Sequence, residues 1–410
     1  RRHYYTIGNL TVYVEQVYYI SASNQSKNMA KLRFSIINSG VSEFISAKDF
    51  GAKGDGVTDD SIAIQNALDA AGAGHAALYF PKGTYLSMSS LQMRDGTMIF
   101  GEGSDSVVMF ISDDVSDNQG LKIGSNTIIY RMKLSKSGTT GKNTSSLILS
   151  DSVSSITLDS CEIEGADGIE VSLKNSNNIR IENCIFNRSS LSVSSAWENP
   201  ETSDVIIKDC YSNGGRLYLY RTRNWLVENV KIENCPGASV GLVHSRNGVV
   251  RNCTALNSGV QGGSAGTTAF YIAASTNILI ENSEIAYTKK PGSPDGVAID
   301  FEASNTNCTV RNSYIHDNQG SAILIYTNPY WGYDNSNISL ENNKIWDNGK
   351  ESPSTIPSFI RIYYNKNCGG VIANNDIKAA TGQFVNQIGN VLTDSFPQNF
   401  TVYGNSVNKA

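Results

Sequence analysis

The chain has 410 residues and a formal net charge of −5, with 17% of its residues charged. That weak acidic balance argues against a general electrostatic grip on nucleic acid or an anionic membrane. No run of residues approaches the ~18 apolar positions a membrane span needs. A 40% hydrophobic content with 36 Gly describes an ordered, turn-rich, all-β composition rather than a disordered one. Seven cysteines cannot all pair within one chain, and their placement reads as buried thiols. Arg1-Arg2-His3-Tyr4 is not followed by the apolar core of a signal peptide, and the absence of an initial Met points to a longer precursor.

Residues 1–48 hold strand-like runs at Leu10–Val14, Val17–Ile20 and Lys31–Ile37 without a repeat, and read as an N-terminal appendage or connector. From residue 49 to 410 the chain reads as one domain. The spacing of apolar residues after Ser61 predicts a helix over about 59–71. Thr58, Asp59 and Asp60 supply its N-cap and acidic first turn, and Gly72 its stop. Ala77–Leu86 then reads as strand, turn and strand.

From residue 97 a pattern recurs in which two apolar residues at i and i+2 are followed by a polar residue, then Asn or Asp, a small residue and another apolar one. Ile179-Arg-Ile-Glu-Asn183 and Ile278-Leu-Ile-Glu-Asn282 are examples. The turn position falls at Gly101, Arg131, Ser160, Asn183, Asp209, Asn229, Asn252, Asn282, Asn312, Asn342, Asn374 and Gly404. Twelve repeats of short strands, spaced 20 to 32 residues apart with no helix in each, mean an all-β solenoid: a right-handed parallel β-helix of about twelve coils with an N-terminal capping helix. Asn suits such a turn because it tolerates left-handed backbone and its amide can bond to the next Asn in a stack. Cys161, Cys184, Cys210 and Cys253 each follow a turn residue and should form one packing column.

After its Asn turn and one short strand, each coil has a variable loop and a further strand. These strands align as Gly168–Val171, Leu191–Ser194, Leu217–Tyr220, Val240–Val243, Phe270–Ala273, Ile299–Glu302, Ile323–Tyr326 and Ile360–Tyr363. Alternation puts Asp300 and Glu302 together on the outer side of one strand. Their spacing of about 6.5–7 Å falls within the range that admits a water between paired carboxyl groups in inverting glycosidases. Down the same outer face come Glu170, Ser192, Tyr218 with Tyr220, Gly241, Tyr271, then the acids, then Leu324 with Tyr326, and Arg361 with Tyr363. Carboxylates within a tyrosine strip are what a sugar-polymer groove requires, since aromatic faces cover pyranose rings. The candidate catalytic residues are Asp300, Glu302 and, at a bend in the next coil, His316, with Glu302 as acid and Asp300 as base. Candidate substrate contacts are Tyr218, Tyr220, Tyr271, Tyr326, Trp331, Arg361, Tyr363 and Lys290, with neighbouring loops walling the cleft. Glu170 belongs to a coil too distant to share the site, and Trp197-Glu-Asn-Pro-Glu201 extends the groove. No metal or other cofactor is expected.

The run Asp49-Phe-Gly-Ala-Lys-Gly-Asp-Gly-Val-Thr-Asp-Asp60, with Ala63-Ile-Gln, Ala67-Leu and Phe80-Pro-Lys-Gly-Thr-Tyr85, resembles the N-terminal signature of the pectate-lyase-like superfamily, which includes many phage tailspike depolymerases. The resemblance implies a β-helix whose outward acids act on polysaccharide, usually as a homotrimer, in a virion or outside a cell. The polygalacturonase Gly-His-Gly and Asn-Thr-Asp motifs are missing, as is the Asp run with a paired Arg of calcium-dependent pectate lyases. The resulting expectation is a depolymerase that hydrolyses a bacterial surface glycan. A lyase on uronic-acid glycans, a teichoic-acid-cleaving phage appendage and a non-catalytic glycan-binding adhesin stay open beside it. The repeats run almost to Ala410, which leaves a processed tailspike or a secreted bacterial enzyme as the expected source.

Overall fold

Paired apolar side chains at i and i+2 point to one side of a short strand, and here that side is the interior of a coil. Ile278 with Ile280, Cys308 with Val310, and Ile338 with Leu340 are all buried, in the parallel-paired strands Thr276–Glu281, Thr306–Arg311 and Ser336–Glu341. A computed structural model describes residues 44–74, 76–111, 120–137, 146–261, 267–291, 295–326, 334–349, 359–363, 368–379 and 399–409, with the backbone alone of 4–7, 10–19, 30–38, 386–388 and 391–393. The chain forms a parallel β-solenoid of about eleven turns with a single α-helix among the described residues. Each full coil contributes three strands to three faces, as in Val297–Glu302, Thr306–Arg311 and Tyr314–His316.

Eleven of the twelve sequence-predicted turn positions have left-handed backbone, with φ between 49° at Arg131 and 65° at Gly404. The short polar residues that dominate this set tolerate that conformation at least cost. Gly101 is the exception. The chain runs on through it in the strand Met98–Ile111, and Glu102 donates its N–H to Ser106 Oγ at 2.8 Å.

The helix spans Ser61–Gly74 and passes through Gly72, where a Cβ would lie 2.8 Å from that of Arg94. Asp59 Oδ1 accepts the Ser61 N–H at 3.0 Å at its start. Ile64, Ala67, Leu68 and Ala71 enter the same core as Leu78 and Leu91, so the helix covers the open end of the coil stack. Strand Phe44–Ser46 already pairs in parallel with Ala77–Tyr79. Residues 4–7, 10–19 and 30–38 form a separate three-stranded antiparallel sheet.

All seven cysteines are free and buried. Cys161, Cys184, Cys210 and Cys253 line the inside of the corner after each turn, and in later coils the same column becomes Ser283, Ser313, Asn343, Asn375 and Asn405. There each side-chain oxygen accepts the backbone N–H of the coil before it, as in Ser313 N to Asn343 Oδ1 at 3.0 Å and Asn343 N to Asn375 Oδ1 at 3.0 Å. The thiols give way to hydroxyls and then amides as the column progresses, so side chains of the next coil satisfy the backbone donors of the polar corner. Elsewhere the stacking leaves no room for a methyl group. A Cβ on Gly248 would fall 1.9 Å from the ring of the buried Trp225 in the preceding coil. Gly248→Ala should therefore lower stability by about 1–3 kcal/mol through overpacking, measured as a shift in the urea midpoint at constant slope.

Candidate active site

The strand Val297–Glu302 sits between Thr268–Ala273 and Ile323–Tyr326. Ile299 and Phe301 fill the core, which turns Asp300 and Glu302 outward. The outer ladder runs Ser192, Tyr218, Gly241, Tyr271, Asp300, Leu324, Arg361 in register, and beside it run Ser194, Tyr220, Val243, Ala273, Glu302, Tyr326, Tyr363. Seven of the eight aligned strands thus have the expected register. The eighth is corrected by a bulge between Ile169 and Val171, which puts Ser172 opposite Ser192. Glu170 is not on the outer face. It is 2% exposed and packs over Gly165, where a Cβ would lie 2.2 Å from its Cγ.

The two acids of the central strand have different environments. Asp300 faces outward yet is only 8% exposed, and its Oδ1 is buried with no hydrogen-bond partner among the described residues. Burial raises its pKa well above the ordinary carboxylate value, and the negative charges of Glu302 and Asp295 push in the same direction. Glu302 is only partly buried, and the Tyr271 hydroxyl donates a hydrogen bond to it. Tyr271 itself is held protonated: burial, that hydrogen bond, and the charges of Glu302 and Asp300 all raise its pKa.

Asp295, at the end of the loop before this strand, completes the cluster. Burial raises its pKa, Arg361 and Lys290 oppose the rise, and Glu302 adds to it. It was missed in the sequence because a loop carboxylate outside the strand alternation has no periodicity to mark it. The one cue was its position at the end of a Lys-containing loop. The loops that supply it are layered tightly, with a Cβ on Gly320 falling 1.9 Å from the Asp295 carbonyl oxygen and Gly320 N bonding to Gly296 O at 2.8 Å.

Of the sequence-predicted residues, Tyr271, Asp300 and Glu302 are thus brought within electrostatic reach of one another, Lys290 and Arg361 act on the adjoining Asp295, and Tyr326 lies beside Glu302 in register. Tyr218 and Tyr220 lie farther along the same face with their rings stacked at 6.2 Å. Trp331 and the side chain of Tyr363 lie outside the described residues. His316 is not brought to the acids. Its strand, Tyr314–His316, belongs to a different face, where Nδ1 lies 2.9 Å from Asp317 and Nε2 3.2 Å from Glu284. It stacks on Tyr314 at 3.9 Å, and its side chain is 7% exposed.

The chain as a whole can be placed among known proteins. A family model described as "Rhamnogalacturonase A/epimerase, pectate lyase-like" matches residues 44–264, and one described as "Right handed beta helix region" matches 260–410. The chain belongs to the rhamnogalacturonase A/epimerase, pectate lyase-like family. The Agl-KA catalytic domain is similar in fold, with a TM-score of 0.65 and 17% identity over 92% of this chain and 71% of that one. Tailspike protein 3 of bacteriophage CBA120 has a TM-score of 0.57 and 12% identity over 88% of this chain and 61% of its own. Plasmin and fibronectin-binding protein A of Streptococcus pneumoniae is 59% identical over 44 residues, which are 10% of this chain and 6% of that protein. The chain spans less than a tenth of the length of the first curated relatives it matches.

Proposed function

We propose that this protein is a polysaccharide depolymerase that binds a bacterial surface glycan on the face bearing Tyr271, Asp300 and Glu302, and cleaves it by hydrolysis. The observation that carries this reading is the contrast between two neighbouring carboxyl groups, one buried with a raised pKa and one partly exposed and held by a tyrosine hydroxyl. Environments that push two acid pKa values apart assign an acid and a base. Asp300, protonated, gives its proton to the leaving oxygen. Glu302, partly exposed and hydrogen-bonded by the Tyr271 hydroxyl, takes a proton from the attacking water. This reverses the order expected from sequence, because burial favours the neutral form and falls on Asp300. The negative charge of Asp295 helps keep the Asp300 proton in place, and Arg361 with Lys290 supplies positive charge at the rim.

Two observations favour hydrolysis over elimination. Elimination needs a base that abstracts a proton from carbon, and Tyr271 is poorly suited because its pKa is raised. His316, the other candidate base, is on another face. The phage tailspike likeness and the similarity to a plasmin and fibronectin-binding protein support action outside the host cell, as part of a phage particle or as a secreted enzyme. The homotrimer is carried over as part of this proposal from the resemblance to tailspikes. Digestion of a panel of bacterial capsular and exopolysaccharides should give oligosaccharides that gain the mass of one water per cut. Products lacking that mass and absorbing in the ultraviolet would point instead to a lyase.

The raised pKa of Asp300 has a consequence for stability as well. The folded protein holds the Asp300 proton more tightly than the unfolded chain does, so this group favours folding at low pH and loses that contribution as pH rises through its folded pKa. Asp300→Asn, which cannot ionise, should therefore raise the thermal midpoint at neutral pH. The gain should shrink as the pH is lowered, measured by melts across a pH series.

A further inference from the structure

The first chain segment to leave the acid-bearing face by more than a tight turn lies four coils before Asp300, between the strands Ile185–Ser194 and Thr202–Lys208. It projects Trp197, which is 63% exposed. An exposed indole on a loose loop would signify little, but this one is fixed from several sides. Its ring centroid lies 6.3 Å from that of Tyr220 and 4.8 Å from His244, both nearly perpendicular to it. The Arg221 guanidinium lies 4.5 Å over its face, and Arg221 Nη1 donates to the Ala196 carbonyl. The loop is pinned by Ala196 N to Asn175 Oδ1 at 2.9 Å and by the ion pair of Glu201 with Arg246 at 2.7 Å. The conformational entropy of holding this surface has thus been lost already on folding.

The platform is continuous with the acids. Tyr220, Val243, Ala273 and Glu302 occupy successive strands of one ladder, so Tyr220 stands roughly 14 Å from Glu302. In the parallel ladder the Tyr218 ring lies across Gly241, where a Cβ would be 2.5 Å from its Cδ2, and so it extends along the groove floor toward Tyr271. We infer that Trp197, with Tyr220 and Tyr218, is a distal sugar-binding subsite that holds a pyranose chain roughly three rings from the bond that breaks, and that the protein consequently acts within long chains rather than on short ends. The occupant is a sugar because the feature is an exposed indole, with Arg221 over its ring and His244 against it, lying in line with the acid pair, so that apolar surface and polar donors stand side by side as a pyranose ring with apolar faces and hydroxyl edges requires. This rests on the depolymerase reading and adds to it the length of glycan required.

The test uses the full chain carrying Asp300→Asn, so that bound glycan survives, with and without Trp197→Ala. Affinity is measured for the polysaccharide that wild type retains on affinity electrophoresis, and for size-fractionated oligosaccharides from it. Trp197→Ala should weaken binding of long chains on the order of ten-fold. The loss should vanish for oligosaccharides too short to span both places, and Trp197→Phe should restore part of it. Matching melting curves confirm that the variants are folded. Equal affinity of the two proteins for long chains, or an equal loss at every length, would overturn the subsite. If wild type binds but releases no products while Trp197→Ala still loses affinity for long chains, the subsite stands and hydrolysis falls. If no glycan of the panel is bound, both fall.

Discussion

Glu302→Gln is expected to reduce glycan cleavage by about a hundred- to ten-thousand-fold with natural substrate, and Asp300→Asn by a similar factor, because each removes one proton-transfer partner of the same step. The two variants should part company on an aryl glycoside of the released sugar unit, whose leaving group departs without a proton. Asp300→Asn should recover most of its activity there, whereas Glu302→Gln should stay inactive because water still needs a base. Tyr271→Phe is a milder change, leaving Glu302 in place without its hydroxyl donor. Kinetics on both substrates, at the pH optimum and on either limb, provide the check. Loss of activity on the alkaline limb should follow deprotonation of Asp300, so Asp300→Asn should flatten that limb on the aryl substrate. A reversed pattern, with Glu302→Gln rescued by the good leaving group, would reassign the acid to Glu302.

Asn343→Ala is the second change with a large expected effect, and it acts on the scaffold. Asn343 Nδ2 donates to Val310 O at 2.9 Å and to Asn375 Oδ1 at 3.0 Å, and its Oδ1 accepts the Ser313 N–H at 3.0 Å. All of these groups belong to buried residues, so truncation strands a backbone donor and a backbone acceptor together, at a cost of about 3 kcal/mol or more. Asn337 offers a contrast. It also stacks, its Nδ2 bonding to Asn307 Oδ1 at 2.8 Å, but it does so on the exposed surface. Water replaces that bond, and Asn337→Ala should cost well under about 1 kcal/mol. Denaturant midpoints of the two variants, with amide exchange in the flanking coils, measure the difference. A solenoid holds together coil by coil, so exchange should rise first around residues 310–345.

These cases also show what a linear sequence carries and what it does not. The coil repeat was legible because stacking imposes the same demand on every rung: two inward apolar residues, then a residue that accepts left-handed backbone. Asn282, Asn312 and Asn342 meet it at a strict interval. Register on the acid-bearing face followed from the same periodicity, which is why Tyr271, Asp300 and Leu324 were placed in adjacent strands correctly. Where one extra residue entered, at the bulge between Ile169 and Val171, alternation misplaced Glu170. The polar corner column was visible only where it was made of cysteines, since Ser283, Ser313 and Asn343 look like ordinary turn residues until stacked. Alternation gives direction but not depth. It turned Asp300 outward and could not show that it would be almost wholly buried, and it gave no sign that His316 would be taken up by Glu284 and Asp317 on another face.

The most direct measurement is the fate of solvent oxygen. A glycan retained by the protein is digested in heavy-oxygen water with wild type and Glu302→Gln side by side, and the products are weighed by mass spectrometry. The account expects one labelled oxygen at each new reducing end with wild type, and almost no product with the variant. Unsaturated, unlabelled ends, or labelled products formed by Glu302→Gln at the wild-type rate, would contradict it.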